Sequence, residues 1–129
     1  MLFIRKLLAV GFLGLTVSGP SSAKEEQFVT LGVQFEAGRQ IWLGTCASCH
    51  GYGIAGAPIP MQPKAWADRV SKPSAELYDH AINGFFGPGD TYMPPRGGNE
   101  NLSDNEIQQA VDYMVALAIF YIQKEEKMQ

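Results

Sequence analysis

The sequence of 129 residues lacks several features that mark common protein classes. It holds only two cysteines and two histidines, and ten basic residues stand against thirteen acidic ones. The resulting net charge of −3 argues against a nucleic-acid-binding protein. The chain has no internal repeat, no convincing strand pattern and no apolar run of the roughly 20 residues that a membrane-spanning helix needs. What remains is a small domain whose chemistry depends on a few residues.

Both cysteines stand in one short segment, Cys46-Ala47-Ser48-Cys49-His50. This is the C-x-x-C-H pattern of covalent haem attachment. On a helical turn Cys46, Cys49 and His50 occupy positions i, i+3 and i+4, so the two thiols and the imidazole share one face. The pattern predicts thioether bonds from Cys46 and Cys49 to the haem vinyl groups, with Nε2 of His50 as an axial iron ligand. We expect one covalently bound haem c.

Other interpretations of the motif have specific weaknesses. A dithiol redox site is typical of a βαβ setting, and a disulfide between neighbouring turns leaves His50 without a role. Zinc needs a fourth ligand, and His80 is the only other histidine, so carboxylate or water would have to complete the site. A lone redox C-x-x-C remains the main alternative to haem.

The N-terminus has the organisation of an export signal. Arg5 and Lys6 form a positive region, Leu7 to Val17 an apolar region, and Ser21-Ser22-Ala23 a small-residue cleavage site. We therefore expect residues 1–23 to be a cleaved signal peptide and residues 24–129 a single domain, with an uncleaved anchor as the alternative. Loss of Arg5 and Lys6 leaves a mature net charge of −5. Haem c is attached in an oxidising compartment, which predicts the periplasm.

The periodicity of the mature chain predicts helices. A first helix should run from about Phe35 into the haem motif, and shorter ones should cover residues 65–70 and 74–83, with Gly84 ending the latter. Ser103 and Glu106 match the N-cap and N3 positions of a capping box that opens the last helix. An apolar stripe at helical spacing follows in this helix: Ile107, Val111, Met114, Ala118 and Ile122. We predict a small all-α fold.

The sixth iron position decides between electron transfer and ligand chemistry, and methionines are the candidates. Met114 belongs to the apolar stripe, where a core methionine is expected. Met61 lies only eleven residues past His50 in a proline-flanked loop. Met93 lies far enough along the chain to reach the opposite haem face, and the two prolines that follow stiffen its loop. Met93 is the predicted second axial ligand.

The chain resembles a class I cytochrome c of the bacterial cytochrome c5 type over roughly residues 35–117. The segments that carry the resemblance are Gly38-Arg39-Gln40-Ile41-Trp42, Cys46-Ala47-Ser48-Cys49-His50-Gly51, Gly56-Ala57-Pro58, Ala65-Trp66-Ala67-Asp68-Arg69, Asn83-Gly84-Phe85, Met93-Pro94-Pro95-Arg96-Gly97-Gly98 and Ala110-Val111-Asp112-Tyr113-Met114-Val115. The resemblance implies the small cytochrome c fold of three to five helices around the haem, with His50 and Met93 as axial ligands. It also implies electron transport between membrane-associated complexes. The chain departs from many c5-type proteins in lacking a second cysteine pair before the last helix.

Further residues are predicted around the haem. Gly38 should allow a close crossing with the last helix, where Trp42 would pack beside Val111 and Met114. The carbonyl of Pro58 is the expected acceptor for Nδ1 of His50, and any carbonyl of the Gly53 to Ala57 loop is the alternative. The remaining expectations concern the haem edge and surface: propionate contacts from Trp66, Arg69 and Arg96, packing around the haem by Tyr92, Phe85 and Phe86, and a surface or capping role for His80.

These features predict an electron carrier and not an enzyme, acting by outer-sphere transfer through the exposed haem edge with no small-molecule substrate. We expect a monomer with redox-protein partners: a membrane-associated quinol-oxidising complex or dehydrogenase upstream, and a terminal oxidase, reductase or peroxidase downstream. Docking would be weak and salt-sensitive, through Lys64, Arg69, Lys72 and Arg96 or the acidic surface elsewhere. Two alternatives stay open. One is a five-coordinate haem protein that binds diatomic ligands or reduces peroxide, and the other is an electron-relay subunit of a larger exported oxidoreductase.

Overall fold

Helices dominate the computed structural model, which describes residues 25–129; the expected signal peptide lies outside the described residues. The helices are α1 (Glu36–Ile41), α2 (Ala47–His50), α3 (Pro63–Trp66), α4 (Ser74–Asn83) and α5 (Asp104–Glu126), and the strands are β1 (Phe85–Phe86) and β2 (Tyr92–Met93). Within residues 25–129, no helix combines the length and apolar character that crossing a bilayer demands.

The N-terminal helix reaches the haem motif without a break, as predicted. Between α1 and α2 the backbone stays helical but widens into one π turn over Trp42–Cys46. Such a turn accommodates one more residue than the regular α-helix and is frequent at functional sites. The motif residues Cys46, Cys49 and His50 therefore lie at the end of a rigid helical segment that begins at Glu36.

The first and last helices cross at Gly38, which confirms the expected close approach. A Cβ placed on Gly38 would lie 2.0 Å from the backbone oxygen of Gln109 in α5. Only hydrogen fits at that distance, so the glycine permits the contact between α1 and α5. This crossing fixes the direction in which the N-terminal helix delivers the haem motif.

The last helix begins with the predicted capping box. The Ser103 hydroxyl accepts a hydrogen bond from the Glu106 backbone N–H, and the Glu106 carboxylate accepts one from the Ser103 backbone N–H. Its apolar stripe is buried at Ile107, Val111, Met114 and Ala118. The sequence pattern therefore predicted both the start and the inward face of α5.

The main core lies where α5 meets the N-terminal helix. Trp42 is fully buried and makes edge-to-face contacts with Phe28 and Tyr113, with ring centroids 5.0 and 5.7 Å apart. Met114 belongs to the same cluster, as expected. Val111 instead packs in a second cluster with Ala81 of α4 and Ile107, so the expected contact with Trp42 is replaced by the aromatic pair.

Two local elements differ from the sequence analysis. Helix α3 begins at Pro63, a favoured first helical position, and ends at Trp66, with turns in place of the expected helix up to residue 70. A short antiparallel hairpin was not expected: Phe85 pairs with Met93 and Phe86 with Tyr92. Each strand has only two residues, which is too few to show an alternating pattern of apolar and polar residues. The turn residues Gly87-Pro88-Gly89-Asp90 are nevertheless typical of hairpins.

Candidate haem site

One cleft brings the predicted ligands together. It lies between the haem motif, the hairpin and the inner side of α4 and α5. The lining is mostly apolar and consists of Cys46, His50, Ala81, Met93, Arg96, Gly97, Ile107, Val111 and Met114. Sequence reasoning assigned Met114 and its neighbours on α5 to the core only, yet the same stripe also lines the cleft. The inward face of an amphipathic helix was the signal for both roles.

His50 is prepared to act as a neutral donor ligand. Its side chain is buried, and Nδ1 lies 2.9 Å from the carbonyl oxygen of Pro58, the acceptor that the sequence analysis named. Because a carbonyl can only accept, Nδ1 carries the proton of this bond. Burial lowers the pKa of His50, against a smaller opposing effect of the Pro58 hydrogen bond. In the neutral ring, Nε2 therefore holds a free lone pair.

No disulfide joins Cys46 to Cys49, and both side chains are partly buried. Burial is the main cause that raises the pKa of the Cys46 thiol to about 11, and the neighbouring Cys49 adds to it. Reactive dithiol motifs instead have a thiol of depressed pKa. The environment of Cys46 therefore argues against the alternative of a reactive redox dithiol.

Met93 enters the cleft from the hairpin, and the loop after it has an unusual backbone. Arg96, Gly97 and Gly98 have consecutive positive φ angles of 55°, 61° and 83°. Two of these left-handed positions are glycine, which adopts them freely, while Arg96 is held there by its own side chain. The Arg96 guanidinium donates to the Leu102 carbonyl at 2.7 Å and pairs with Asp104.

The propionate contact predicted for Arg96 stays a prediction. In the structure its guanidinium bonds to the start of α5, where the left-handed turn directs the side chain. Arg69 likewise donates to a local acceptor, the Ala65 carbonyl one helical turn earlier. The two arginines are thus engaged by the protein.

Trp66, like Trp42, carries a buried donor without an acceptor in the described residues. The side chain is 2% exposed, and its indole Nε1 is buried without a hydrogen-bond partner in residues 25–129. A buried N–H donor without an acceptor costs about 1–3 kcal/mol. A haem propionate would supply the missing acceptor. Together with neutral His50, the cysteines and the apolar lining, this donor set fits haem c.

The aromatic residues near Met93 divide between the two faces of the hairpin. Successive strand residues point to opposite sides, and the register places Phe85 with Met93, and Phe86 with Tyr92. Tyr92 and Phe86 stack on each other with centroids 4.6 Å apart and do not line the cleft. The expected place of Tyr92 in the haem pocket stays a prediction. Phe85 stacks on His80 of α4.

Comparison with known proteins gives a consistent result. The family model described as cytochrome C oxidase, cbb3-type, subunit III, matches residues 33–114. Cytochrome c-555 of Prosthecochloris aestuarii is 36% identical over 81 residues, which cover 60% of this chain and 82% of that protein. Cytochrome c5 of Ectopseudomonas mendocina is 32% identical over 74 residues, covering 56% and 79%.

A solved structure is similar as well. The crystal structure of an electron transfer complex of nitrite reductase with cytochrome c contains a chain 31% identical to this one, with a TM-score of 0.55. The match covers 64% of this chain and 95% of that chain. The fold, the C-x-x-C-H motif and these relatives define a class I c-type cytochrome that binds haem c covalently. The chain belongs to the family whose model carries the cbb3-type subunit III description.

Proposed function

We propose that the protein is an exported single-electron carrier whose haem is attached through Cys46 and Cys49 and ligated by His50 and Met93. The observation that carries the proposal is the shared cleft, which Cys46, His50 and Met93 all line although Met93 lies 43 residues beyond His50 in the sequence. When bound, haem c supplies a one-electron iron couple. The residues around it determine how easily that couple is reduced.

The protein side of the site favours the reduced state. A methionine thioether is a soft donor that prefers Fe(II), and the apolar residues of the cleft exclude the water that would solvate Fe(III). On the His50 side, the bond to the Pro58 carbonyl holds the ring orientation and increases the basicity of Nε2. His50 and Met93, which would hold the iron, both lie on elements of regular backbone structure, so their side chains would need little rearrangement.

We propose fewer residues in direct contact with the haem than the sequence analysis named. Trp66 is assigned to a propionate through its unpartnered Nε1, and Pro58 to His50. Arg69 lies one turn from Trp66 and can contribute positive charge without leaving the Ala65 carbonyl. Arg96 holds the Met93 loop against α5 and acts on the site only through that loop.

Partners are proposed as redox proteins that dock transiently. The similar solved structure is a complex of nitrite reductase with a cytochrome c, which supports a reductase as one downstream class. Of the basic residues expected at the interface, Lys64 is exposed, whereas Lys72 is paired with Glu76. Lys64 is therefore the first candidate for a salt-sensitive contact with an acidic partner.

A second candidate function is an electron-relay unit within a larger oxidoreductase. The description of the matching family, a subunit of an oxidase, supports it. The match to a cytochrome c-555 over 82% of that protein's length favours a separate small carrier instead. A mass measurement of the exported protein in solution distinguishes the two, because a relay subunit would be recovered in a larger complex.

The carrier proposal is tested by visible spectroscopy of the haem-loaded protein and of Met93→Ala. We expect low-spin spectra in both oxidation states and a weak far-red charge-transfer band in the oxidised form, typical of methionine-ligated ferric haem. Met93→Ala should lose this band. Met114→Ala is the matched control, since Met114 also lines the cleft, and it should retain the band.

Carbon monoxide provides the opposing outcome. A six-coordinate reduced iron binds it poorly, so the wild-type protein should react slowly and Met93→Ala rapidly. A high-spin wild-type protein that binds carbon monoxide readily would show an open iron position. The five-coordinate ligand-binding or peroxidase function would then replace the electron carrier.

A further inference from the structure

Gly84, at the end of α4, touches the backbone that carries Met93. Its φ of 85° lies in the left-handed region. A Cβ placed on Gly84 would lie 3.0 Å from the carbonyl oxygen of Met93 and 3.0 Å from Cδ of Pro95. Carbon atoms normally approach other heavy atoms at about 3.5–4.0 Å, so a methyl group at this position would displace its neighbours.

The contact is continuous with the hairpin. Phe85, the residue after Gly84, pairs with Met93 in the ladder between β1 and β2. The Phe85 ring in turn stacks on His80 of α4, with centroids 4.0 Å apart and an interplanar angle of 23°. Helix α4 therefore holds the Met93 backbone at two adjacent points, through Gly84 and through Phe85.

The contacts of Gly84 and Phe85 hold the backbone of Met93, whose side chain enters the cleft. Met93 and Ala81 of α4 both line it, and Ala81 lies three residues before Gly84. Since α4 packs against both α5 and the loop after Met93, it is a fixed reference for that loop. A shift of the Met93 carbonyl away from Gly84 would move the thioether with it.

We propose that Gly84 is a positioning residue for Met93: the missing side chain at the end of α4 sets the depth at which the Met93 thioether enters the haem cleft. The inference rests on the proposed function, in which Met93 is an iron ligand. It adds a residue that contacts neither the haem motif nor the ligand side chain. Substitution at Gly84 should therefore weaken the iron–methionine bond from a distance.

The test compares Gly84→Ala with Gly89→Ala in the haem-loaded full chain. Both glycines have a positive φ, 85° and 66°, which strains alanine. Gly84 also has a ψ of 164°, a combination that only glycine adopts readily. A Cβ on Gly89, at the hairpin tip, has no neighbouring atom within 4 Å. Gly89→Ala is therefore the control for a positive φ without contact with the Met93 loop, and thermal unfolding reports the backbone strain of each variant. The readouts are the far-red band, carbon monoxide binding to the reduced protein, and thermal unfolding.

We expect Gly84→Ala to lose much of the far-red band and to bind carbon monoxide faster than wild type, whereas Gly89→Ala retains both wild-type properties. Equal spectra and equal carbon monoxide rates in the two variants would overturn the positioning role. A wild-type protein without the far-red band would instead refute the Met93 ligation of the proposed function, so the two failures are distinguishable.

If Gly84→Ala yields no haem-loaded protein, a double variant decides. Pro95→Ala removes Cδ, one of the two atoms nearest to the added methyl group. The Gly84→Ala, Pro95→Ala protein should then recover haem and part of the far-red band. A double variant that binds haem with the full wild-type band would overturn the positioning role, because its methyl group would still lie 3.0 Å from the Met93 carbonyl oxygen.

Discussion

The hydroxyl group of Tyr113 in α5 donates a hydrogen bond to the backbone carbonyl of Val29 across 3.0 Å. The carbonyls of the two preceding residues are bonded in the same way, one by Tyr121 and one by Arg39. Three consecutive carbonyls of the N-terminal segment thus accept from side chains of α1 and α5. The segment precedes residue 33, where the family match begins, so the fold here extends beyond the family region.

Loss of the buried Tyr113 hydroxyl should lower the free energy of unfolding. Tyr113 is fully buried, so Tyr113→Phe leaves the Val29 carbonyl without its partner, and we expect a loss of about 1–3 kcal/mol in unfolding free energy. Tyr121→Phe is the matched control, because its bond to Gln27 is exposed and water can replace the hydroxyl. Urea unfolding of both haem-loaded variants measures the difference. Equal losses would mean that the burial of Tyr113 adds nothing.

The helix crossing gives a second prediction. Gly38→Ala places a methyl group 2.0 Å from the Gln109 backbone oxygen, so α1 and α5 must separate, and we expect a loss of about 3 kcal/mol or more. Gly44→Ala lies in the same helical run with nothing within 4 Å of the new atom. That control should be neutral or stabilising by about 0.5–1 kcal/mol, because alanine favours helix. Thermal unfolding checks both, and a stable Gly38→Ala would show that the helices do not need this contact.

The capping box of α5 should make stability depend on pH. Hydrogen bonds from the Ser103 backbone and hydroxyl lower the pKa of Glu106. A group with a depressed folded-state pKa stabilises the fold above its unfolded pKa, and this contribution is lost as the pH falls through the folded value. The stability difference between wild type and Glu106→Ala should therefore shrink toward zero in acid.

Ser103→Ala removes the hydroxyl bond to Glu106 and keeps the backbone bond, so its stability difference from wild type should depend on pH less than that of Glu106→Ala. Loss of this N-cap should cost about 1 kcal/mol at neutral pH. Urea unfolding across the acidic range measures the Glu106→Ala difference. A difference that stays constant through this range would show that the ionised carboxylate does not strengthen the cap.

Trp66→Phe tests the proposed contact with a haem propionate. An N–H donor stabilises the propionate charge, and without it that charge stabilises oxidised iron, so the reduction potential should fall. Trp42→Phe is the control, because Trp42 also has a buried Nε1 without a partner in the described chain. Redox titration of both variants decides. A drop for both, or for neither, would remove the special role of Trp66.

Much of the local structure follows from the sequence. The capping residues Ser103 and Glu106 predicted the start of α5, and Gly84 correctly marked the end of α4. The Pro58 carbonyl was also predicted as the partner of His50, with the carbonyls of the Gly53 to Ala57 loop as alternatives, and the structure has Pro58. These features depend on residues that are close together in the chain, so their patterns are readable.

The features that were not predictable depend on distant pairs. Tyr113 and Val29 are 84 positions apart, and no local pattern joins them. The position of Tyr92 depended on a strand register that two paired residues cannot reveal. Arg96 was expected at the haem because its charge suits a propionate, but the left-handed turn that points it toward Asp104 is visible only in three dimensions.

The π turn at Trp42–Cys46 determines the angle of the haem motif relative to the first part of the helical segment. Each residue of an α-helix turns the chain by about 100°, and a π turn contains one extra residue. The wide turn absorbs that residue, so His50 keeps nearly the angle relative to Gly38 that it would have in a regular helix one residue shorter. Tightening the turn to a regular helix without a deletion would rotate His50 by about 100°. The wide turn therefore allows one continuous helical segment to direct Gly38 toward α5 and His50 toward the cleft.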